Sequence, residues 1–372
     1  MERLEKLIFN LIFFVITIFF IVYPVVKGRA MVSGQCSNCH TMHNSQGGSP
    51  MAMTGNNTAT KLCHKDLLIK SCVGCHTGTN AGVIGSSHGS TPYVFSTTAP
   101  IYGVNTLAGG NFYWVLKDPT KGHNCLSIPG MQPDPYLSEA PGMPDVASGV
   151  NCAGCHRRID SCLSCHNPKH HANDKASPIV GKEGGFYRFL NSSYHPSDST
   201  GVIGIEDDDW EYTVSSSDHN EYMGCNNLYG KDDNSMSNYC AGCHQHFHGI
   251  QWTDTNGKVV ADGKSPWFMH PTSLALSDAT GDEYQYYNNG NGYSPLAPLA
   301  RDPNRLLTMT HSTSEVWVKK GESEGDQVMC LSCHRAHGSP YADMLRWDYK
   351  ACISGENNSK CGCFVCHTTK DK

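Results

Sequence analysis

Seven times in this chain of 372 residues, two cysteines three positions apart are followed at once by a histidine. The motifs are Cys36, Cys39 and His40; Cys72, Cys75 and His76; Cys152, Cys155 and His156; Cys162, Cys165 and His166; Cys240, Cys243 and His244; Cys330, Cys333 and His334; and Cys363, Cys366 and His367. This is the pattern by which a protein attaches c-type haem. Two thioether bonds fix the porphyrin, and the adjacent histidine reaches the iron from the same side. With 19 cysteines and 20 histidines in the chain, chance alone gives about 0.05 such pentapeptides. Structural zinc pairs CxxC units across a loop or spaces two histidines three to five apart, and it needs no histidine directly after the second cysteine. Disulfide frameworks are common in exported cysteine-rich chains, yet they leave the histidine placement unexplained. The expectation is seven covalently bound haem c groups.

Taking the seven motif histidines from 20 leaves 13: His43, His64, His88, His123, His170, His171, His195, His219, His246, His248, His270, His311 and His337. Seven suffice to give every iron a second imidazole. His43 follows His40 by three, and His337 follows His334 by three. A histidine that close cannot easily cap its own haem, whose near face is taken, but it can cap a neighbouring one. His248 and His171 stand in similar places, with His246 and His170 as close alternates. Methionine ligation would raise the potential, and 13 methionines are present, but the histidine supply favours imidazole.

Positioning these groups falls to a sparse polypeptide. Residues 1–30 form an apolar leader whose core runs from Leu7 to Val26, with Gly28 and Ala30 where signal peptidase wants small residues. A cleaved signal peptide is expected, with an uncleaved membrane anchor as the alternative. Residues 31–372 are expected to form a single heptahaem domain. They number 342, or about 49 per haem by division, a thin shell for so much porphyrin. Glycine, serine, asparagine, threonine and proline abound, and helical or strand periodicity is scarce. The expected fold class is mostly irregular and haem-packed, with short helices at the CxxCH motifs and few short strands, Glu315 to Lys319 being one candidate. The formal charge of −6 becomes distinctly more acidic once haem propionates are added, and nothing points to nucleic acid. The run Glu206, Asp207, Asp208 and Asp209 reads as a solvated loop, with a cation such as calcium as the lesser reading.

Several stretches resemble the doubled-CxxCH multihaem cytochromes of metal-reducing bacteria, a group that includes outer-surface and filament-forming members. They are residues 33–45, 109–114 with 122–124, 217–222, 266–271 and 330–345. The resemblance implies bis-histidine low-spin haems stacked in a chain, with His43, His123, His219, His248, His270 and His337 as distal ligands; His171 is the seventh by context. In filament-forming members the second histidine of a Cys-His-Thr-Met-His segment ligates a haem of the next subunit, which would make His43 an assembly residue. The chain departs from the pattern at the tandem Cys152 and Cys162 motifs, ten residues apart. Ten residues span at most about 33–36 Å, so these two haems must be near neighbours. Their extra ligand could be His195 or His88. Cys361 could also replace Cys363 in a longer-spaced motif. Cys63, Cys125, Cys225, Cys352 and Cys361 are left over, an odd number whose connectivity sequence does not reveal.

The function expected is electron transfer, not catalysis, with other cytochromes or extracellular acceptors as partners. The expected location is the outer surface or extracellular space, with the periplasm as alternative. The chain is read as a homo-oligomeric filament or a discrete carrier. The alternative activity is a multihaem reductase of a small nitrogen or sulfur oxyanion, which needs one iron with an open position; all seven motifs end in histidine.

Overall fold

The computed structural model describes residues 40–46, 48–50, 92–96, 98–141, 149–156, 187–190, 201–207, 209–225, 234–244, 274–281, 283–309, 315–321 and 324–370. Shorter pieces at 62–63, 65, 67–68, 72–76, 252–253, 259–261, 270 and 272 are described as well. The leader, Cys36, Cys39, the motif Cys162, Cys165 and His166, and His64, His88, His170, His171, His195, His246, His248 and His311 lie outside the described residues.

Regular structure is short throughout. The helices among the described residues are Cys72–Cys75, Tyr113–Lys117, Cys152–Cys155, Met236–Ala241, Pro303–Leu306, Cys330–Cys333 and Cys363–Cys366. The longest has six residues, half the usual length of a globular helix. Three two-stranded antiparallel ribbons complete the inventory: Ser45–Gln46 with Ser49–Pro50, Gly204–Ile205 with Glu221–Tyr222, and Trp252–Thr253 with Val259–Ala261. The expectation of a mostly irregular fold with short helices at the motifs holds.

Helical turns form at the CxxC units for a local reason. Positions i and i+3 share one face of a turn, and the histidine at i+4 closes it by donating its backbone N–H to the first cysteine. That bond recurs from His76 to Cys72 (2.9 Å), His156 to Cys152 (2.8 Å), His244 to Cys240 (3.0 Å), His334 to Cys330 (3.1 Å) and His367 to Cys363 (2.8 Å). Ser235 accepts from the Asn238 N–H to start the fifth motif's helix. One turn is marginal alone, so packing must hold it.

Packing is distributed. Among the described residues there are five separate apolar clusters, and four of them end on motif cysteines. Phe95, Phe112, Val115 and Ile128 pack toward Cys152. Tyr187, Tyr222 and Met329 pack toward Cys240. Leu276, Tyr287 and Leu299 lean on Cys366. Trp347, Cys361 and Phe364 lean on Cys333 and Cys363.

Two expectations are corrected. Glu315 to Lys319 is not a strand: residues 315–320 lie in no ladder, and Val316 offers a single carbonyl to the Tyr293 N–H (2.7 Å). The segment is held instead by side chains, because Arg301 Nη1 and Arg305 Nη2 both donate to the Trp317 carbonyl. Nor is the start of the acidic run solvated. Glu206 and Asp207 are buried; Glu206 accepts from the Arg188 N–H (2.6 Å), and Asp207 Oδ2 accepts from the Glu211 N–H (2.7 Å). Acidic composition suggested water, but these carboxylates cap turns.

Gly110 and Gly338 meet backbone to backbone in a parallel bridge. Both have positive φ, +86° and +137°, and a Cβ on Gly110 would sit 2.0 Å from the Gly338 carbonyl oxygen. This contact ties the His337 segment to the Gly109 strand-like stretch, whose carbonyl accepts from the His337 N–H (2.6 Å). Gly110→Ala is therefore expected to destabilise the protein by about 1–3 kcal/mol, measurable by chemical denaturation.

Candidate haem-binding sites

The five described motifs adjoin one another in chain order through their sulfurs. The Cys72 sulfur lies beside that of Cys152, a contact that raises the Cys72 thiol, while Cys125 first and Cys72 second hold Cys152 down. Cys155 and Cys243 lie near enough to repel as thiolates. Cys240 donates to Cys330. Cys333 in turn lies beside Cys363 and Cys366. The contacts alternate: first cysteine to first, second to second, first to first, then second to the last motif. Four consecutive steps thus run along one path.

The motif histidines are oriented by backbone carbonyls. His76 Nδ1 donates to Pro92 O (2.7 Å), His156 Nδ1 to Arg188 O (2.9 Å), His244 Nδ1 to Pro141 O (2.8 Å) and His334 Nδ1 to Asp343 O (2.9 Å). A proton held at Nδ1 leaves the Nε2 lone pair for a metal and fixes the ring plane. Burial lowers the affinity for a second proton at His76, His156 and His334, so these rings are the neutral, ligating form.

Three of the other histidines stand against motif histidines. The His123 ring centre is 6.0 Å from that of His244, His337 is 6.1 Å from His156, and His270 is 6.1 Å from His367. Two metal–imidazole bonds of about 2.0 Å, plus roughly 1.1 Å from each bonding nitrogen to its ring centre, separate two ligating rings by about 6 Å. The donor set therefore fits a six-coordinate haem iron between each pair. His123 Nδ1 donates to Ala336 O (2.7 Å), so it too presents Nε2. A cleft lined by Leu274, Leu276, Tyr284, Val328 and Cys366 opens between His270 and His367. His337 sits three residues from His334 yet faces His156, as a ligand to a neighbouring haem would. Burial, with the His156 ring adding to it, pushes His337 down to about 3.

The remaining candidates are placed differently. His219 is buried, with Nδ1 on the Ser215 carbonyl (3.1 Å) and Nε2 3.3 Å from both Glu221 Oε1 and Arg301 Nη2. Its ring stacks on Tyr293 at 3.6 Å. His40 and His43 are both exposed, and His43 adopts φ 57°.

The leftover cysteines are partly explained. Cys352 and Cys361 form a disulfide, while Cys363 and Cys366 share one helical turn. Cys125 is buried with its sulfur 3.5 Å from that of Cys152, a proximity no spacing rule foretold. Missed as well were the carbonyls of Pro92, Pro141, Arg188, Ala336 and Asp343, because a backbone acceptor carries no residue signature. Buried donors without a protein partner include Trp114 Nε1, Arg335 Nε and Trp347 Nε1. Arg335 directly follows the sixth motif in sequence, where a polar cofactor edge would satisfy such a group.

Comparison with known proteins agrees with the motif reading. The doubled CXXCH motif family model matches residues 323–372. The chain is 25% identical over 353 residues to the C-type cytochrome OmcS of Geobacter sulfurreducens, covering 84% of this chain and 78% of that one. Among solved structures, the outer membrane cytochrome S filament of Geobacter sulfurreducens aligns with a TM-score of 0.49 at 22% identity, over 87% of this chain and 86% of that one. A cryo-EM structure of OmcS nanowires from the same organism gives 0.45 at 21% identity, over 91% and 92%.

Proposed function

We propose that this chain, a multihaem c-type cytochrome of the doubled-CxxCH kind, carries electrons along seven bis-histidine haems held by residues 31–372. The observation that carries the reading is the set of three facing histidine pairs about 6 Å apart, each joining a motif histidine to one outside the CxxCH set. Bound haem supplies a reversible one-electron couple at its iron. The chain's own residues hold that iron: His123 opposite His244, His337 opposite His156 and His270 opposite His367. Backbone carbonyls aim the rings, and burial disfavours their second proton at His76, His156 and His334. Two imidazoles at each of these three sites would leave no position for a substrate once haem is held there, which favours a carrier over an oxyanion reductase.

Sulfur-to-sulfur adjacency from Cys72 to Cys366 supports a continuous path. The remaining distal ligands are His43, His219 and His248, assigned from the sequence resemblance, and His171, assigned from its context. Ligation by His219 would require its Nε2 to exchange the Glu221 and Arg301 contacts for iron. His43 is exposed in the single chain, as a residue reserved for the next subunit's haem must be, and this favours a homo-oligomeric filament. The leader then directs export, and the setting is extracellular or outer-surface electron transfer to other cytochromes or terminal acceptors.

Removing the fifth haem tests the path. Cys240→Ala with Cys243→Ala is expected to leave six haems by pyridine haemochrome assay and to interrupt conduction along the chain. Unchanged electron transfer with six haems would count against a single linear route. Electron microscopy of material sheared from cells tests the polymer: ordered filaments with continuous haem density are expected, and compact single particles would remove His43 from assembly.

A further inference from the structure

The end of the chain reads Cys361-Gly-Cys363-Phe-Val-Cys366-His367, and chemically it offers two attachment registers. Either Cys363 or Cys361 could supply the first thioether. Three sulfurs converge there: those of Cys352, Cys361 and Cys363 all lie within 4.8 Å of one another. The loop is rigidly set. A Cβ on Gly362 would meet the Trp347 ring at 2.1 Å, so the ring presses on the backbone between the two cysteines. The Phe364 N–H donates to the Cys361 carbonyl (3.2 Å) and the Cys361 N–H to the Asn358 carbonyl (3.0 Å). Cys361 and Cys363 therefore present their sulfurs at nearly the same place, and a haem vinyl within reach of one is within reach of the other.

We propose that the Cys352–Cys361 disulfide is a register lock for haem attachment: it removes the competing Cys361 thiol so that only Cys363 adds to the vinyl. This deepens the proposed function and rests on the reading that the last motif carries haem. In the attachment step a cysteine S–H adds across the vinyl double bond, sulfur to the α-carbon and hydrogen to the β-carbon, with no net change of electrons. A sulfur already bonded to sulfur has no hydrogen to add. With Cys352 bonded to it, Cys361 is chemically silent while its neighbour reacts; without Cys352, two thiols face one vinyl.

The test is mass spectrometry of the haem peptide spanning residues 351–372 from purified holoprotein. In the natural chain we expect haem on Cys363 and Cys366, with Cys352 and Cys361 joined. In Cys352→Ser, part of the haem peptide is expected to carry its linkage at Cys361 and Cys366, or the protein to accumulate with less haem. In Cys352→Ser combined with Cys361→Ser, the competing thiol is gone, and a single register with full haem content should return although the disulfide is still missing. The proposal is overturned if Cys352→Ser attaches haem only at Cys363 and Cys366 with full haem content. It is equally overturned if the double variant fails as the single one does, since the disulfide would then serve folding alone. A natural peptide without any haem would instead sink the reading of the seventh motif, a result distinct from either.

Discussion

His123→Ala is expected to convert one haem from low-spin to high-spin while leaving the rest unchanged. The His123 ring faces that of His244 at 6.0 Å, and its Nδ1 is tied to Ala336 O, so it is the imidazole positioned opposite the fifth motif's histidine. Deleting it leaves that iron five-coordinate, and the weaker ligand field favours the high-spin ferric state. Low-temperature EPR should gain a high-spin signal integrating to a single haem. Added imidazole should abolish that signal by refilling the position. His337→Ala and His270→Ala should each do the same for the haems at His156 and His367, and because the pairs share no residue their signals should add. The pairing itself is tested by combining variants. With Cys240 and Cys243 already replaced by alanine, the haem opposite His123 is absent, and His123→Ala should then add no high-spin signal. A signal that persists in this background would assign His123 to another iron. A natural protein that already shows a stoichiometric high-spin haem would reopen the reductase reading.

The second large effect is expected at Arg301. Its side chain is fully buried and bridges Glu221 and Asp326, with Nη1 2.9 Å from Asp326 Oδ2 and Nη2 3.1 Å from Glu221 Oε1. It also donates to the carbonyls of Trp317 and Glu315. Burial alone would raise the Glu221 carboxyl, but the His219 hydrogen bond and the Arg301 charge outweigh it and hold it below the usual carboxylate range. Arg301→Met would leave the buried Glu221 carboxylate without its guanidinium, while Asp326 would keep Arg305 at 2.8 Å. Removing one member of a buried pair typically costs about 3–5 kcal/mol, and denaturant unfolding of the holoprotein should show a loss of that order. By contrast, Lys319 and Glu324 meet at 3.4 Å with Glu324 largely exposed, so Glu324→Gln should cost less than about 1 kcal/mol. A small effect at Arg301 would mean that water reaches the network. Because Nε2 of His219 touches both Arg301 and Glu221, the variant should also perturb the setting of that histidine.

Much of the chemistry was legible in the residue order, because haem attachment is local. Two thioethers and a ligand lie within five consecutive residues, and a single helical turn aligns them whatever surrounds it. For the same reason the mostly irregular fold could be foreseen: glycine- and proline-rich segments without periodicity cannot build long helices or broad sheets. Singling out His123 and His270 as ligand candidates depended on resemblance, whereas His337 was marked by its spacing from His334, and the distances between rings then supplied partners that neither named. Which histidine faces which motif is a non-local fact, set by contacts such as His337 N–H to Gly109 O and His123 Nδ1 to Ala336 O, 213 residues away. Other features were misread because composition says nothing of burial. Glu206 and Asp207 lie in an acidic run yet serve as buried turn caps, and Glu315 to Lys319 has strand-like residues but finds no ladder partner. The fate of Cys361 was undecidable from spacing, since two cysteines one residue apart present the same chemistry. Only the tertiary structure, by bringing Cys352 to Cys361 and pressing Trp347 onto Gly362, sets the two apart. Residue order by itself thus pointed to the cofactor and to the residues proposed to attach it, which are short-range chemistry. The order of the motifs in space and the buried charges were decided by long-range packing, where chain neighbours carry no information.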